Sequence, residues 1–346
     1  MLVHRKEFVS KLEEVFPAIG GGFIPEYDCF HFRDKLVQAT DGMIKISAEL
    51  ENNTDLDCCV PAEPLLRLLK SLDDDEVEIS CNGKELLVKA GKVQGLIMIR
   101  GKAAIDVFSL PKIEPVECYD DLVTGLSLCS IVTSKDSAAG SLGGVLVNES
   151  ELFGTDAYRL ARWPLKYKLD GVKCIIPSKF IKIISSKKDR IVEIGYSSDA
   201  STLSATFDNG TKVVSGTLTG RYPDVTRCFP SSECEYVELD ISEALSGVLD
   251  RHISFLKELK IFDREIKVEI SGNSCSVSSY NPTVGSLVEK FELSKGLDKD
   301  VSFAIEPAFL RGFLEKSSKI KYFPDTKLLM INNDTYDYLV MTRLHQ

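Results

Sequence analysis

The chain has 346 residues, 44% of them hydrophobic and 27% charged, and a formal net charge of −10. That length calls for two or three domains rather than one core, and no apolar run approaches the roughly 20 residues that a spanning helix needs. The acidic balance excludes an ordinary DNA-coating protein, though not one whose cations are gathered on a single surface. Residues 1–16 interleave Arg5, Lys6, Lys11, Glu13 and Glu14 with apolar positions, which is not a signal-peptide pattern. Ten cysteines lack any C-x-x-C spacing, and Cys58 and Cys59 are adjacent. Unpaired thiols in a reducing cytoplasm account for them better than disulfides or zinc.

In chain order, Phe8, Val9, Leu12, Val15 and Phe16 at helical spacing predict a helix over 5–19, ended by Gly20-Gly21-Gly22. Strand-like runs at 29–32 and 43–50 flank the turn Thr40-Asp41-Gly42. A second amphipathic helix opens at Pro61 with Leu65, Leu66, Leu68, Leu69 and Leu72 on one face and Arg67 and Lys70 on the other. The acidic run 73–76 closes it, and strands are expected over 77–79, 86–89 and 96–100. The same order then recurs: a helix over 122–132, a strand at 145–147, and the stretch Gly154-Thr155-Asp156-Ala157-Tyr158-Arg159-Leu160-Ala161-Arg162. In that stretch a Thr-Asp turn leads into a strand, with Tyr158 and Leu160 expected on one face and Arg159 and Arg162 on the other. A helix over 177–186 follows, with Lys179, Lys182 and Ser186 opposite its apolar side, then strands over 191–194, 202–206 and 212–218. A third, more diverged pass comprises a helix over 241–257, strands over 266–270 and 275–278, a helix over 307–317, and strands over 327–331 and 338–342.

An offset of 115 residues carries Thr40-Asp41 onto Thr155-Asp156, Phe30 and Phe32 onto Val145 and Val147, Arg67 onto Lys182, and Val77 onto Val192. One constant spacing across four landmarks marks an internal repeat. In the third pass Phe309-Leu310-Arg311 matches Leu65-Leu66-Arg67 and Phe180-Ile181-Lys182. From that cation to the first apolar residue of the next strand the count is 10, 10 and 9. The expected fold is α+β: three tandem modules, each a helix pair on antiparallel sheet, over residues 1–114, 115–231 and 232–346. Polar, Pro-containing linkers lie at 111–115 and 229–233.

The second helix of every module puts a cation opposite its leucine side. One such face is ordinary solvated helix surface, but recurrence in three modules points to a shared job. Cations aligned on one inner surface of an acidic chain meet phosphates without reading bases. The DNA-facing set on this reading is Arg67, Lys70, Lys135, Lys179, Lys182, Arg251 and Arg311.

The repeated module, the turn at 155–161, the segment Gly220-Arg221-Tyr222-Pro223-Asp224 and the terminal Tyr338-Leu339-Val340-Met341 together resemble the bacterial β sliding clamp, the processivity subunit of the replicative DNA polymerase. The resemblance covers essentially the whole chain. It implies a homodimeric ring around double-stranded DNA, bound without regard to sequence, with polymerase and clamp loader as partners. It also implies a hydrophobic cleft for partner peptides between the second and third modules. The matching positions are Leu142, Thr155, Ala157, Tyr158, Arg159 and Leu160, then Pro223, Arg227 and Cys228, then Leu339, Val340, Met341 and Arg343. A pliable apolar pocket with a methionine and rim cations suits short, varied peptides. The chain departs from the family in having Ala157-Tyr158 where Gly-His is usual, Thr342 for a frequent proline, and a tail running on to His345-Gln346, as in a divergent or phage-encoded member. Removing residues 339–346 is expected to abolish peptide binding and leave the fold intact.

No enzyme is expected. The histidines at 4, 31, 252 and 345 lack ligand spacing, no phosphate-binding G-x-x-x-x-G-K-[ST] is present, and neither a cofactor nor a metal is called for. Asp41 and Asp156 could serve as catalytic carboxylates, but their identical place in the repeat favours turn formation. The alternative to a clamp is a repeat-built protein-interaction scaffold that never encircles DNA. Charge reversal at Arg67, Lys182 and Arg311 separates the two, since only a clamp would lose DNA retention.

Overall fold

A computed structural model describes the chain except residues 22–23, 52–53, 104–113, 116–118, 198–200, 232, 241, 318, 334 and 344–346, and the side chains of 114, 115, 119, 137, 242–244 and 262. One element order recurs three times. The first pass is β1 (Leu2–His4), α1 (Arg5–Val15), β2 (Cys29–Arg33), β3 (Leu36–Thr40), β4 (Ile44–Glu49), β5 (Asp57–Pro61), α2 (Ala62–Ser71), β6 (Glu76–Cys81), β7 (Glu85–Ala90) and β8 (Val93–Met98). The second is β9 (Glu114–Pro115), α3 (Tyr119–Ser130), β10 (Gly144–Asn148), β11 (Glu151–Thr155), β12 (Arg159–Pro164), β13 (Lys173–Pro177), α4 (Ser178–Ser186), β14 (Ile191–Ser197), β15 (Thr202–Phe207) and β16 (Lys212–Gly216). The third is β17 (Val237–Asp240), α5 (Ser242–Phe255), β18 (Ile266–Ser271), β19 (Ser274–Asn281), β20 (Gly285–Glu292), β21 (Val301–Ile305), α6 (Pro307–Leu314), β22 (Lys319–Phe323), β23 (Leu328–Asn332) and β24 (Asp337–Met341). The α+β class and a pair of helices with strands recurring three times are those read from the sequence, while strands such as β3, β20 and β21 are additional to it.

The chain packs as two compact units, residues 1–127 with 169–219 and residues 128–168 with 220–346. In the first unit, one sheet has the order β5-β2-β3-β4-β16-β15-β14-β9, and a four-stranded sheet has the order β1-β6-β7-β8. The larger sheet is continuous because the last strand of the second pass, β16, pairs antiparallel with β4, Ile46 opposite Val213. The second unit repeats this device. Strand β24, last of the third pass, pairs with β12, Leu160 opposite Leu339, giving β10-β11-β12-β24-β23-β22-β17. Its four-stranded sheet runs β20-β19-β18-β21.

Helices cover these sheets through their apolar stripes. Phe8, Leu12 and Val15 of α1 are buried, and the Phe8 ring stacks on Phe32 at 6.0 Å. Helix α1 stops at Val15 rather than running to residue 19. Pro17 cannot donate an amide, so the chain tightens into a 3-10 turn over Phe16–Ala18. Pro61 caps α2 from outside, and Leu65, Leu66 and Leu69 point inward. In the second unit Leu310, Phe313 and Leu314 anchor α6, with Phe313 against Tyr338 at 4.9 Å. Among the described residues no helix is long and apolar enough to cross a membrane. The nine described cysteines are free, and Cys118 lies outside the described residues.

His252 of α5 is fully buried; its Nδ1 lies 2.9 Å from Ser279 Oγ, while Nε2 has no hydrogen-bond partner and stands 3.8 Å from Glu289. Burial lowers its pKa below the ordinary value, helped by Arg251 and opposed by Glu289. The unfolded chain therefore takes up a proton that the native state resists. The stability this histidine confers is complete above about pH 6.5 and is lost as pH falls toward its folded pKa. Urea titrations of wild type and His252→Asn between pH 7.5 and 5 check this: the acid-side decline should be shallower in the variant.

Candidate functional site: a turn, a cleft and a set of exposed cations

The Thr-Asp turn builds itself from side-chain hydrogen bonds. Thr155 Oγ1 donates to Arg159 O (2.6 Å) and accepts from Ala157 N (3.1 Å). Asp156 Oδ1 accepts from Tyr158 N (3.0 Å) and Arg159 N (2.8 Å). The first unit repeats every bond: Thr40 Oγ1 to Ile44 O (2.9 Å), Gly42 N to Thr40 (3.0 Å), and Met43 N and Ile44 N to Asp41 (2.9 and 2.7 Å). A third version joins β19 to β20, where Asn281 Oδ1 accepts from Thr283 N (2.9 Å) and Val284 N (3.4 Å). These carboxylates and this amide hold turns. Asp41 also takes Lys179 Nζ at 2.5 Å. Burial alone would raise its pKa, but the Ile44 amide and Lys179 outweigh burial and hold it below the usual range.

At the third turn position the backbone is left-handed, φ +91° at Gly42 and +73° at Ala157. Glycine adopts that conformation freely and alanine is strained there by roughly 1 kcal/mol. Ala157→Gly should therefore raise the melting temperature of the second unit by a few degrees, read by differential scanning calorimetry.

Beyond the turn lies a cleft of about 370 Å³, within the second unit, lined by Leu142, Thr155, Ala157, Tyr158, Arg159, Leu160, Pro223, Asp224, Val225, Arg227, Cys228, Thr326, Leu328, Leu339 and Met341. Eleven of the thirteen residues named from the resemblance line it. Its floor is the apolar cluster of Phe153, Leu160, Val225, Phe323, Leu328, Met330 and Leu339. The segment over 220–228 is fastened by Tyr222, whose hydroxyl donates to Phe153 O at 3.0 Å, and by Asp224, which accepts from Thr226 and pairs with Arg227 at 3.1 Å. Tyr158, Met341 and Cys228 are exposed at the mouth. That volume is of the size that takes one or two apolar side chains with a few polar contacts at the rim.

Val340 and Arg343 do not line the cleft. Strand β24 alternates, so Leu339 and Met341 face the cavity and Val340, fully buried, faces the other way. Arg343 reaches Glu265 (3.7 Å) and sits 6.0 Å over the Tyr158 ring. Asp224, Val225, Thr326 and Leu328 were not legible as site residues. Thr326 and Leu328 enter only through the pairing of β23 with β24, which no local pattern reports.

Two expectations are corrected. Arg159 and Arg162 lie on opposite faces of β12, because the strand period is two and three residues separate them. Arg162 shares the Leu160 side, over Phe229 at 5.4 Å and paired with Glu151 and Asp337, whereas Arg159 points toward α6. The tail is also no detachable appendage. Strand β24 lies between β12 and β23 and carries buried Leu339 and Val340, so truncation at 339 removes part of the central sheet along with the cleft wall.

The seven cations named as DNA-facing lie on α2 (Arg67, Lys70), α4 (Lys179, Lys182), α5 (Arg251), α6 (Arg311) and just after α3 (Lys135). Five are already paired: Arg67 with Glu63 (2.5 Å), Lys70 with Glu13 (2.5 Å), Lys179 with Asp41, Arg251 with Glu289 (2.5 Å), and Arg311 with Asp250 (3.0 Å) and Glu315 (3.1 Å). Lys135 and Lys182 are exposed. Among the described residues no cluster of three or more His, Cys, Asp or Glu side chains is placed to hold a metal ion.

No protein-family model matches the chain, and no curated protein sequence does. Solved structures do, over almost their whole length, among them DNA polymerase III β subunits and sliding clamps. The DNA polymerase III β subunit of Pseudomonas aeruginosa is 18% identical, with TM-score 0.79 and 99% of each chain covered. That of Thermotoga maritima is 19% identical, with TM-score 0.80 and 99% of each covered. The DnaN sliding clamp of Bartonella birtlesii, solved bound to griselimycin, is 17% identical, with TM-score 0.83, 100% of this chain and 99% of that one covered. The fold of this chain is that of the bacterial DNA polymerase III β subunit.

Proposed function

We propose that the chain is a sliding clamp: a homodimeric ring that encircles duplex DNA and tethers a replicative polymerase by topology. The observation that carries this reading is the state of the two four-stranded sheets. Within each unit, the fourth strand of one pass (β4 or β12) is joined to the last strand of the next (β16 or β24). One strand of each kind is left at a sheet edge, β20 of the third pass and β8 of the first. Joined by the rule that operates twice inside the chain, they complete a third sheet, β21-β18-β19-β20 with β8-β7-β6-β1 from a second copy. Applied reciprocally this gives a closed two-fold dimer of six modules. The exposed apolar residues of these edges, Val93, Leu96 and Met98 on β8 and Val288 on β20, suit burial against a partner strand and are poor protection for a free edge.

Prior pairing of five candidate cations with carboxylates supports retention by topology more than by affinity. Phosphates that meet those helices compete with Glu63, Glu13, Asp41, Glu289 and Asp250, so each contact is weak and easily exchanged. The cleft is the docking place for apolar anchors of polymerase and clamp-loader peptides, and no catalytic step belongs to this chain. Static light scattering at micromolar concentration tests the assembly. The reading requires twice the mass of one chain; a strict monomer contradicts it. Griselimycin, bound in the structure of the Bartonella birtlesii clamp, is the test ligand for the cleft: if it seats there, Cys228 at the mouth becomes slower to alkylate, and an unchanged rate counts against the assignment.

A further inference from the structure

We propose that Phe309, on the first turn of α6, is a positioning residue for the cleft, holding Arg159 and Tyr158 in the orientation that receives a ligand. The inference rests on the reading of the cleft as a ligand site. Phe309 does not line the cavity, yet it stands directly behind the two residues that form the wall beside the turn. The Arg159 guanidinium lies 4.3 Å from the centre of the Phe309 ring, and the Tyr158 and Phe309 rings are 6.4 Å apart, tilted by 36°. Tyr158 also has the Arg343 guanidinium 6.0 Å from its ring centre, so its ring has both an aromatic and a cationic neighbour.

Arg159 is anchored along one edge of its guanidinium by the turn it follows. Its Nε and Nη2 donate to Asp156 Oδ2 at 2.9 and 2.8 Å. Glu306, almost fully buried, caps α6 by accepting from Phe309 N at 2.7 Å and adds a carboxylate near Arg159. The cap fixes the Phe309 backbone, and the ring face then supplies the remaining flat surface against which a guanidinium stacks. A leucine at 309 keeps the volume but offers no face, which frees Arg159 to rotate about its salt bridge and leaves Tyr158 without its neighbour. Preorganised walls spare a ligand the ordering of these two side chains.

Two variants compared with wild type decide the matter: Phe309→Leu and Phe309→Tyr, both as dimers of confirmed melting temperature. Griselimycin affinity is read by calorimetry, and the Tyr158 environment by 19F NMR with 3-fluorotyrosine at that position. Phe309→Leu should bind roughly fivefold more weakly and shift the Tyr158 signal, while Phe309→Tyr stays within about twofold of wild type. Unchanged affinity and an unchanged Tyr158 signal in Phe309→Leu overturn the proposal, as does equal loss in both variants. Should wild type fail to bind griselimycin, it is the ligand reading of the cleft that falls, and the fluorine signal alone then decides whether Phe309 orients Tyr158.

Discussion

Gly154→Ala is expected to destabilise the second unit by about 3 kcal/mol or more, a fall of roughly 6–12 °C in melting temperature. A Cβ at residue 154 would stand 2.0 Å from the Cys129 carbonyl oxygen and 2.7 Å from its carbon. Both are backbone atoms, so no side chain can swing aside. Relief requires the end of α3 to lift off β11, where the buried Cys129 thiol meets Leu152 O and Ala161 O at 3.7 and 3.8 Å. The turn itself does not demand glycine, since the repeat places Ala39 at the same position, fully buried and accommodated. It is the approach of the helix that forbids a side chain. Circular dichroism melts of Gly154→Ala and Ala39→Gly separate the two explanations, because only the first should lose several degrees beyond the ordinary cost of a backbone substitution. A melting temperature within two degrees of wild type for Gly154→Ala contradicts this packing.

Charging the two open edges should dissociate the assembly. Leu96 and Val288 are 56% exposed each on β8 and β20, and both would be enclosed by a partner strand. Lysine at an edge strand is a standard guard against pairing. Leu96→Lys combined with Val288→Lys places like charges on both sides of each junction and removes two apolar contacts. Together these should raise the dimer dissociation constant by about 100-fold or more, on the order of 3 kcal/mol. Val192, also exposed but on β14 between β15 and β9, is the control. Val192→Lys should leave the mass by sedimentation velocity unchanged while the double variant sediments as a monomer. A double variant that stays dimeric shows that the copies meet elsewhere.

The repeat and the turn were legible because both are written in short-range chemistry. Asp41 and Asp156 bond amides two and three residues ahead, and such a signal survives in one sequence. The same turn at Asn281 escaped notice, since an asparagine followed by Pro282 carries the bond without the shared letters. Strand β20 was missed because an unpaired edge buries none of its residues and shows no strong apolar alternation. Strand β3 was missed for the opposite reason, being buried at four successive positions. Gly154 stood at the head of the motif with no visible purpose, because the atom it avoids lies on a helix 25 residues earlier in the chain. In the cleft, the turn and tail residues were readable from the family resemblance. Phe309 was not, because it packs against Arg159 and Tyr158 without lining the cavity itself.

Whether the molecule is held on DNA by encirclement is tested most directly by comparing one loaded complex on two shapes of the same DNA. The protein is loaded onto a nicked circle by a clamp loader, unbound protein is removed, and half the sample is linearised by a single-cutting restriction enzyme. Gel filtration should then find the protein retained on the circle and released from the linear form, with release blocked when the ends are capped by bulky adducts. Equal retention on circle and open linear DNA, or equal loss from both, contradicts a ring that slides.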